Sequence, residues 1–207
     1  FCLVLLGILR YIYIYNFGTR GMGPLNWADV AGEATGVMWW SSLMWGLAAL
    51  LCLLEFDRNT TRLRSYWLAI SIGSLLLSLD ESVQIHERFS APAGWLFNNP
   101  GGFFAAWWVL AAIPIVAICF ILLIPFLLAL PRKTATGLIM AGAIFLLGAV
   151  GFEMVFARVI TSDPDATTML WTLMTIEETL EMIGIALFCI TVHGHINRQQ
   201  QAGTSQS

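Results

Sequence analysis

Long apolar segments dominate this chain of 207 residues and constrain its fold more than any other feature. A helix needs about 20 mostly apolar residues to cross the hydrocarbon core of a bilayer. Charged residues make up 11% of the chain, whereas a soluble domain carries about 25%. The sequence therefore predicts an all-α fold, a polytopic membrane helix bundle of about six transmembrane helices. The six predicted spans are 1–16, 28–54, 65–89, 103–130, 136–160 and 169–193.

The linkers between these segments are short, and no repeat of fixed period is present. This pattern predicts one domain, a single transmembrane bundle over 1–197. The Gln- and Ser-rich residues 198–207 are predicted to form a disordered cytoplasmic tail, because such a composition offers little apolar surface to bury.

Basic residues set the predicted orientation, because cytoplasmic loops carry an excess of Lys and Arg. They concentrate in the 55–64 loop, in the 131–135 loop and at Arg198. With six spans these regions share one side, so both termini are predicted to be cytoplasmic. The loops that then face outward are 17–27, 90–102 and 161–168.

Carboxylates are distributed unevenly between the two predicted sides. Only Glu55 and Asp57 fall toward the cytoplasm, and both are predicted to lie at the surface. The other acidic residues fall in the outer half, several of them inside predicted spans. Ionisable groups at membrane depth are costly and usually functional, so the outer half is the predicted location of a site.

Acidic residues of four different predicted spans lie at similar depths below the outer surface. At about 1.5 Å of rise per helical residue, they lie roughly 8 to 14 Å below the outer surface. On a helical wheel His86 points about 140° away from Glu81, unless the helix end unwinds. The residues predicted to converge as metal ligands are Glu33, Glu81, His86, Glu87, Glu153, Glu178 and Glu181.

A metal site is the first interpretation, since carboxylates gathered at depth repel one another unless cations or protons neutralise them. Ferritin-like dinuclear sites use one Glu from each of two helices and Glu-x-x-His from the other two. Here Gln84 and Glu181 stand where that scheme has histidine. The predicted cofactor is a divalent metal, Fe, Mn or Zn, in a centre that is mononuclear or dinuclear.

Two alternatives remain open. A carboxylate-based proton or cation transporter would use the same cluster, although the inner half offers few polar residues. An accessory structural subunit of a larger membrane complex would use the acids in a buried salt-bridge network with Arg10, Arg88 and Arg158. The predicted partners are the lipid bilayer and other membrane subunits. The net charge of -3 excludes nucleic acid.

A membrane hydrolase is the least supported alternative. Part of the set that alkaline ceramidases and adiponectin receptors hold around zinc resembles a group of residues in this chain, namely Ser41, Ser42, Asp80, His86, His193 and His195. The spacing from Asp80 to His86 departs from that pattern. The late histidines also fall at the predicted cytoplasmic end, away from His86.

Four short motifs carry a resemblance over about 28–190. They are Gly-Glu-Ala at 32–34, Leu-Asp-Glu at 79–81 with His86-Glu87, Gly-x-Glu-Met at 151–154, and Glu-Glu-x-x-Glu-Met-x-Gly at 177–184. Together they resemble a group of bacterial multipass membrane proteins. The resemblance implies a location in the bacterial inner membrane and a shared acidic site, and it implies no activity.

Overall fold

The computed structural model describes residues 2–17, 29, 35–86, 88 and 101–204, and their regular secondary structure is entirely helical. This confirms the predicted all-α class for the described residues. A 3-10 turn, Gly102–Phe104, precedes the fourth helix. The helices are α1 (Cys2–Phe17), α2 (Gly36–Arg58), α3 (Arg64–Val83), α4 (Trp107–Ala129), α5 (Arg132–Ser162) and α6 (Thr167–Thr204).

Among the described residues, three helices are long and apolar enough to cross a membrane, namely α2, α4 and α5. Helix α1 is apolar over Cys2–Asn16 but shorter. Helices α3 and α6 correspond to two further predicted spans, but their polar residues lower their hydropathy. Those residues are the serines of α3 and the three glutamates of α6.

The bundle core forms where α2 packs along α3 and where α6 packs against both α5 and α2. Trp67 and Phe126 are the largest buried side chains of one core cluster, and Trp45 and Ile185 belong to a second. Helix α4 is buried only at Val109 and at Phe126, near its two ends. Its middle therefore stands apart from the core, which leaves room for a cavity beside it.

Helix α3 ends at Val83, six residues before the predicted end of its span at residue 89. Gln84 adopts a left-handed conformation with φ of 53°, which costs a residue other than glycine roughly 1–2 kcal/mol. The backbone N–H of His86 then donates to Asp80 Oδ1 at 3.0 Å. The chain thus unwinds at the helix end and turns back toward Asp80.

Helix α5 contains a π-helical segment, Leu147–Phe152. Such a segment accommodates an extra residue within one turn, which changes the direction of the following side chains by about 100° relative to a regular helix. A regular helical wheel for α5 therefore misplaces Glu153 relative to the first half of the helix. Sequence analysis did not predict this segment.

The final helix continues beyond residue 198, so the prediction of a disordered tail is wrong for 198–204. Arg198 Nη2 donates a hydrogen bond to Thr134 Oγ1 at 3.1 Å. The side chains of Gln199 and His195 are hydrogen-bonded at 2.9 Å. These contacts join the last turns of α6 to the bundle, and composition alone did not indicate them.

Candidate functional site

A cavity of about 800 Å³ lies at the end of the bundle where α3 ends and α6 begins. Met38 of α2, Trp108 of α4 and Phe145 of α5 supply part of its apolar wall. Ligand sites in proteins commonly have volumes of about 300–1,000 Å³. We call this space the acidic cavity, because the carboxylates that line it are those of Asp80, Glu81, Glu153, Glu177, Glu178 and Glu181.

The structure brings five of the seven predicted site residues to this cavity, including Glu153 and Glu178 from helices far apart in sequence. Glu33 and Glu87 lie outside the described residues. The predicted convergence of acidic helices is therefore observed for the part of the set that the structure describes, while the role of these residues as ligands stays a prediction. The five are Glu81, His86, Glu153, Glu178 and Glu181.

Asp80 and His86 form a close pair at the cavity edge. His86 Nδ1 lies 2.6 Å from Asp80 Oδ2, and the imidazole ring centre lies 4.8 Å from that of Trp108. The predicted divergence of His86 from Glu81 applied only to a continuous helix, and the chain unwinds after Val83, which is the exception stated with that prediction. Asp80 fixes the orientation of the imidazole, a pairing common for histidine ligands and bases.

Helix α6 contributes an acidic wedge, Glu177, Glu178 and Glu181, because residues three and four apart share one helix face. Glu181 makes a hydrogen-bond contact with Glu81 of α3. It also interacts electrostatically with Glu178, Glu177 and Glu153. Two carboxyl groups in such contact share a proton or a cation between them.

Gly148, in the π segment, sets the distance between α5 and this wedge. A Cβ atom at Gly148 would lie 2.9 Å from the carbonyl oxygen of Glu177 and 3.1 Å from Cγ of Glu181. No larger residue fits there without moving α6. The glycine therefore allows the wall that carries Glu153 to approach the acidic wedge closely.

The side chains of the described residues do not form a set of metal ligands. No three side chains of His, Cys, Asp or Glu in that part of the chain are gathered closely enough to hold a metal ion. Gln84, which takes a ligand position in the dinuclear scheme, lies outside the regular part of α3. The dinuclear interpretation therefore gains no support from this arrangement, although the carboxylates surround one cavity.

A second polar cluster lies at the opposite end of the bundle, and sequence analysis missed it. Glu55 is fully buried, with 0% of the residue exposed, so the prediction that it lies at the surface is wrong. His195 Nε2 lies 3.6 Å from Glu55 Oε1, and His195 Nδ1 lies 3.2 Å from Thr134 Oγ1. The ring centres of Trp67 and His195 are 5.6 Å apart in a stacked arrangement. We call Glu55, Trp67, Thr134 and His195 the Glu55 cluster.

The acidic cavity and the Glu55 cluster are separated by most of the bundle. Along α6, Glu178 and His195 are about 26 Å apart at 1.5 Å per residue. His86 and His195 therefore lie at opposite ends, and the shared zinc site of the hydrolase alternative is not formed. One sequence feature could have indicated that Glu55 is buried. It lies three residues after Cys52 and so belongs to the same buried face of α2.

Arg10 of α1 forms an ion pair with Asp29. Its Nη1 lies 2.8 Å from Asp29 Oδ2, and Asp29 is not one of the carboxylates that line the cavity. Tyr11 next to it stacks on Trp171, with ring centres 4.0 Å apart, and joins α1 to α6.

Comparison with known proteins assigns the chain to a family without adding an activity. No curated protein and no solved structure matches it. The family model described as Domain of unknown function (DUF8692) matches residues 2–194, which include the lining of the acidic cavity and every member of the Glu55 cluster except His195. The chain therefore belongs to the DUF8692 family.

Proposed function

We propose that this chain is a multi-pass protein of the bacterial inner membrane whose acidic cavity faces outward and binds a cation. One observation carries the proposal. Six carboxylates and one histidine, contributed by α3, α5 and α6 and by the turn after α3, line a single cavity. Like charges collected in a partly enclosed space repel one another, and a bound cation removes that repulsion.

The membrane part of the proposal extends the three apolar helices to six spans. Helices α3 and α6 direct their polar residues into the cavity or toward neighbouring helices, so their low hydropathy is compatible with spanning. Basic residues support a cytoplasmic position for the opposite end. Arg58, Arg64, Arg132 and Arg198 all lie there, and Lys and Arg favour the cytoplasmic side.

A divalent metal, Fe, Mn or Zn, is the proposed cation. Oxygen-rich ligand sets suit hard and intermediate divalent ions. In the described residues the carboxylates are not already at ligand distances, so binding would draw Glu81, Glu178 and Glu181 together. Glu33 and Glu87 remain the proposed additional ligands.

The test is equilibrium binding of Mn²⁺, Fe²⁺ and Zn²⁺ to the purified full chain in detergent, with bound metal determined by elemental analysis. Glu178→Gln should lower affinity about tenfold or more, the effect of losing a ligand or its close partner. Asp57→Asn is the matched control, because Asp57 is exposed at the other end.

Unchanged affinity in Glu178→Gln, or no saturable binding by the unmodified chain, would overturn the proposal. The second result would favour the accessory-subunit alternative. Neither result depends on the Glu55 cluster, which lies at the far end of α6.

A further inference from the structure

The Glu55 side chain is a carboxylate that is fully buried, with 0% of the residue exposed. Both of its oxygens are inaccessible to solvent and have no hydrogen-bond partner within 3.5 Å. Leaving a buried polar group unsatisfied costs about 1–3 kcal/mol, and more if the group is charged. A structural role alone would favour an apolar residue here, so the carboxylate requires another explanation.

His195 supplies a nearby site for a proton. Its Nε2 faces Glu55 Oε1 at 3.6 Å, and only 4% of its side chain is exposed. The Gln199 side chain, hydrogen-bonded to the same Nε2, leads toward the end of α6. The groups that interact with Glu55 are Cys52 on its own helix, Asn59 directly after that helix, and His195 and Gln199 on α6. Helices α3 and α5 contribute the uncharged Trp67 and Thr134.

Hydroxyl groups follow the α2–α3 interface from the Glu55 cluster toward the acidic cavity. Ser71 Oγ donates to the Ala49 carbonyl at 2.8 Å, and Ser74 is 3% exposed. Ser42 Oγ lies 3.1 Å from Ser78 Oγ and 2.7 Å from Ser82 Oγ. Steps of three or four residues on α3 correspond to about 4.5–6 Å, a distance that one water molecule bridges.

Further buried polar atoms on α2 and α3 have no hydrogen-bond partner, and the rings of Trp45 and Trp67 pack against Phe145 of α5 and Phe126 of α4. These atoms are Ser41 Oγ and Trp45 Nε1 on α2 and Trp67 Nε1 on α3. Buried water molecules typically bind such groups. The outer end of the interface borders the acidic cavity, since Met38 and Leu77 line it.

We propose that Glu55 and His195 form a proton-binding site at the end opposite the acidic cavity, and that the α2–α3 interface carries protons between that site and the cavity. A proton enters from water in the cavity, moves along hydroxyl groups and bound water, and protonates a Glu55 oxygen. Glu55 passes it to His195 Nε2, and the imidazolium releases it to water near Gln199. No electrons move, and each group returns to its starting state.

The test uses the full chain in liposomes that contain a pH-sensitive dye, with a potassium diffusion potential imposed by valinomycin. The unmodified chain should acidify or alkalise the lumen according to the sign of the potential. Glu55→Gln should lower this proton flux about tenfold or more, because removing a group that relays the proton costs about 10²–10⁴ in comparable proton transfers. Asp57→Asn, an exposed neighbour on the same helix, should conduct like the unmodified chain.

Two further variants keep the test decisive if Glu55→Gln fails to fold. Ser71→Ala removes one buried hydroxyl and should also lower the flux, whereas Ser65→Ala at an exposed position should not. A flux no greater than that of empty liposomes, or equal flux in Ser71→Ala and the unmodified chain, would overturn the proposal. Metal binding by the same samples is independent of this result, so failure of proton transfer leaves the cation-binding proposal standing.

Discussion

The two ends of the bundle place their ionisable groups in opposite kinds of surroundings. The acidic cavity gathers many carboxylates of one sign around a space large enough for a ligand. The Glu55 cluster encloses one carboxylate, pairs it with one imidazole and excludes solvent. An open cluster can exchange ions with the surrounding water, whereas the closed pair leaves room for little besides a proton. This difference fits the proposed cation site at one end of the bundle and the proposed proton site at the other.

The largest expected difference between the two ends is the effect on stability of removing one acid at each of them. Glu55→Ala leaves a cavity beside His195 in a fully buried site, so we expect the free energy of unfolding to fall by about 2–5 kcal/mol. Glu181→Ala removes one of several mutually repelling charges, so stability should stay the same or rise when no cation is bound. Thermal unfolding in detergent, with metal chelated, measures both.

Equal destabilisation by the two substitutions would contradict the distinction between an open and a closed site. Asp57→Ala serves as the control for both, because this exposed carboxylate should contribute little to stability.

A substitution where α5 and α6 pack between the two ends should have a smaller effect on stability. Gly184 of α6 lies against α5, where an added Cβ would be 2.7 Å from Phe145 Cβ and 2.8 Å from its backbone nitrogen. Gly184→Ala should therefore lower the free energy of unfolding by about 1–3 kcal/mol through overpacking. Gly142→Ala on α5 meets no atom within 4 Å and should be neutral or slightly stabilising.

The same pair of variants tests whether the two ends are mechanically joined through α6. If Gly184→Ala displaces α6, both cation affinity and proton flux should fall, and Gly142→Ala should change neither. Full retention of stability in Gly184→Ala would show that α5 and α6 are farther apart than described.

Much of the acidic cavity was predictable because depth depends only on topology and helical rise. Glu81, Glu153 and Glu178 belong to different helices, yet counting residues from the span ends brought them to one level. The directions in which the acidic and histidine side chains point were harder to predict. Gln84 breaks α3 and returns His86 to the cavity, and the π segment alters the direction of Glu153. Both depend on local backbone changes that a regular helical wheel omits.

The Glu55 cluster was not predictable from residue counting. Glu55 precedes an Arg-containing loop, and its position near the end of α2 indicates a surface residue. Its burial arises from α6, which continues past residue 198 and places His195 against it. The predicted sixth span ended at residue 193, so the turn of α6 that places His195 against Glu55 was not part of that span.

Chemical modification of the histidines tests the contrast between the two ends most directly. His86 has 35% of its side chain exposed, against 4% for His195. Diethyl pyrocarbonate labelling of the folded full chain, mapped by mass spectrometry with and without Mn²⁺, reports both sites at once. We predict that His86 is labelled, that Mn²⁺ protects it, and that His195 reacts only after unfolding. Equal labelling of the two histidines, or no protection of His86 at saturating Mn²⁺, would contradict an open cation site at one end and a closed proton site at the other.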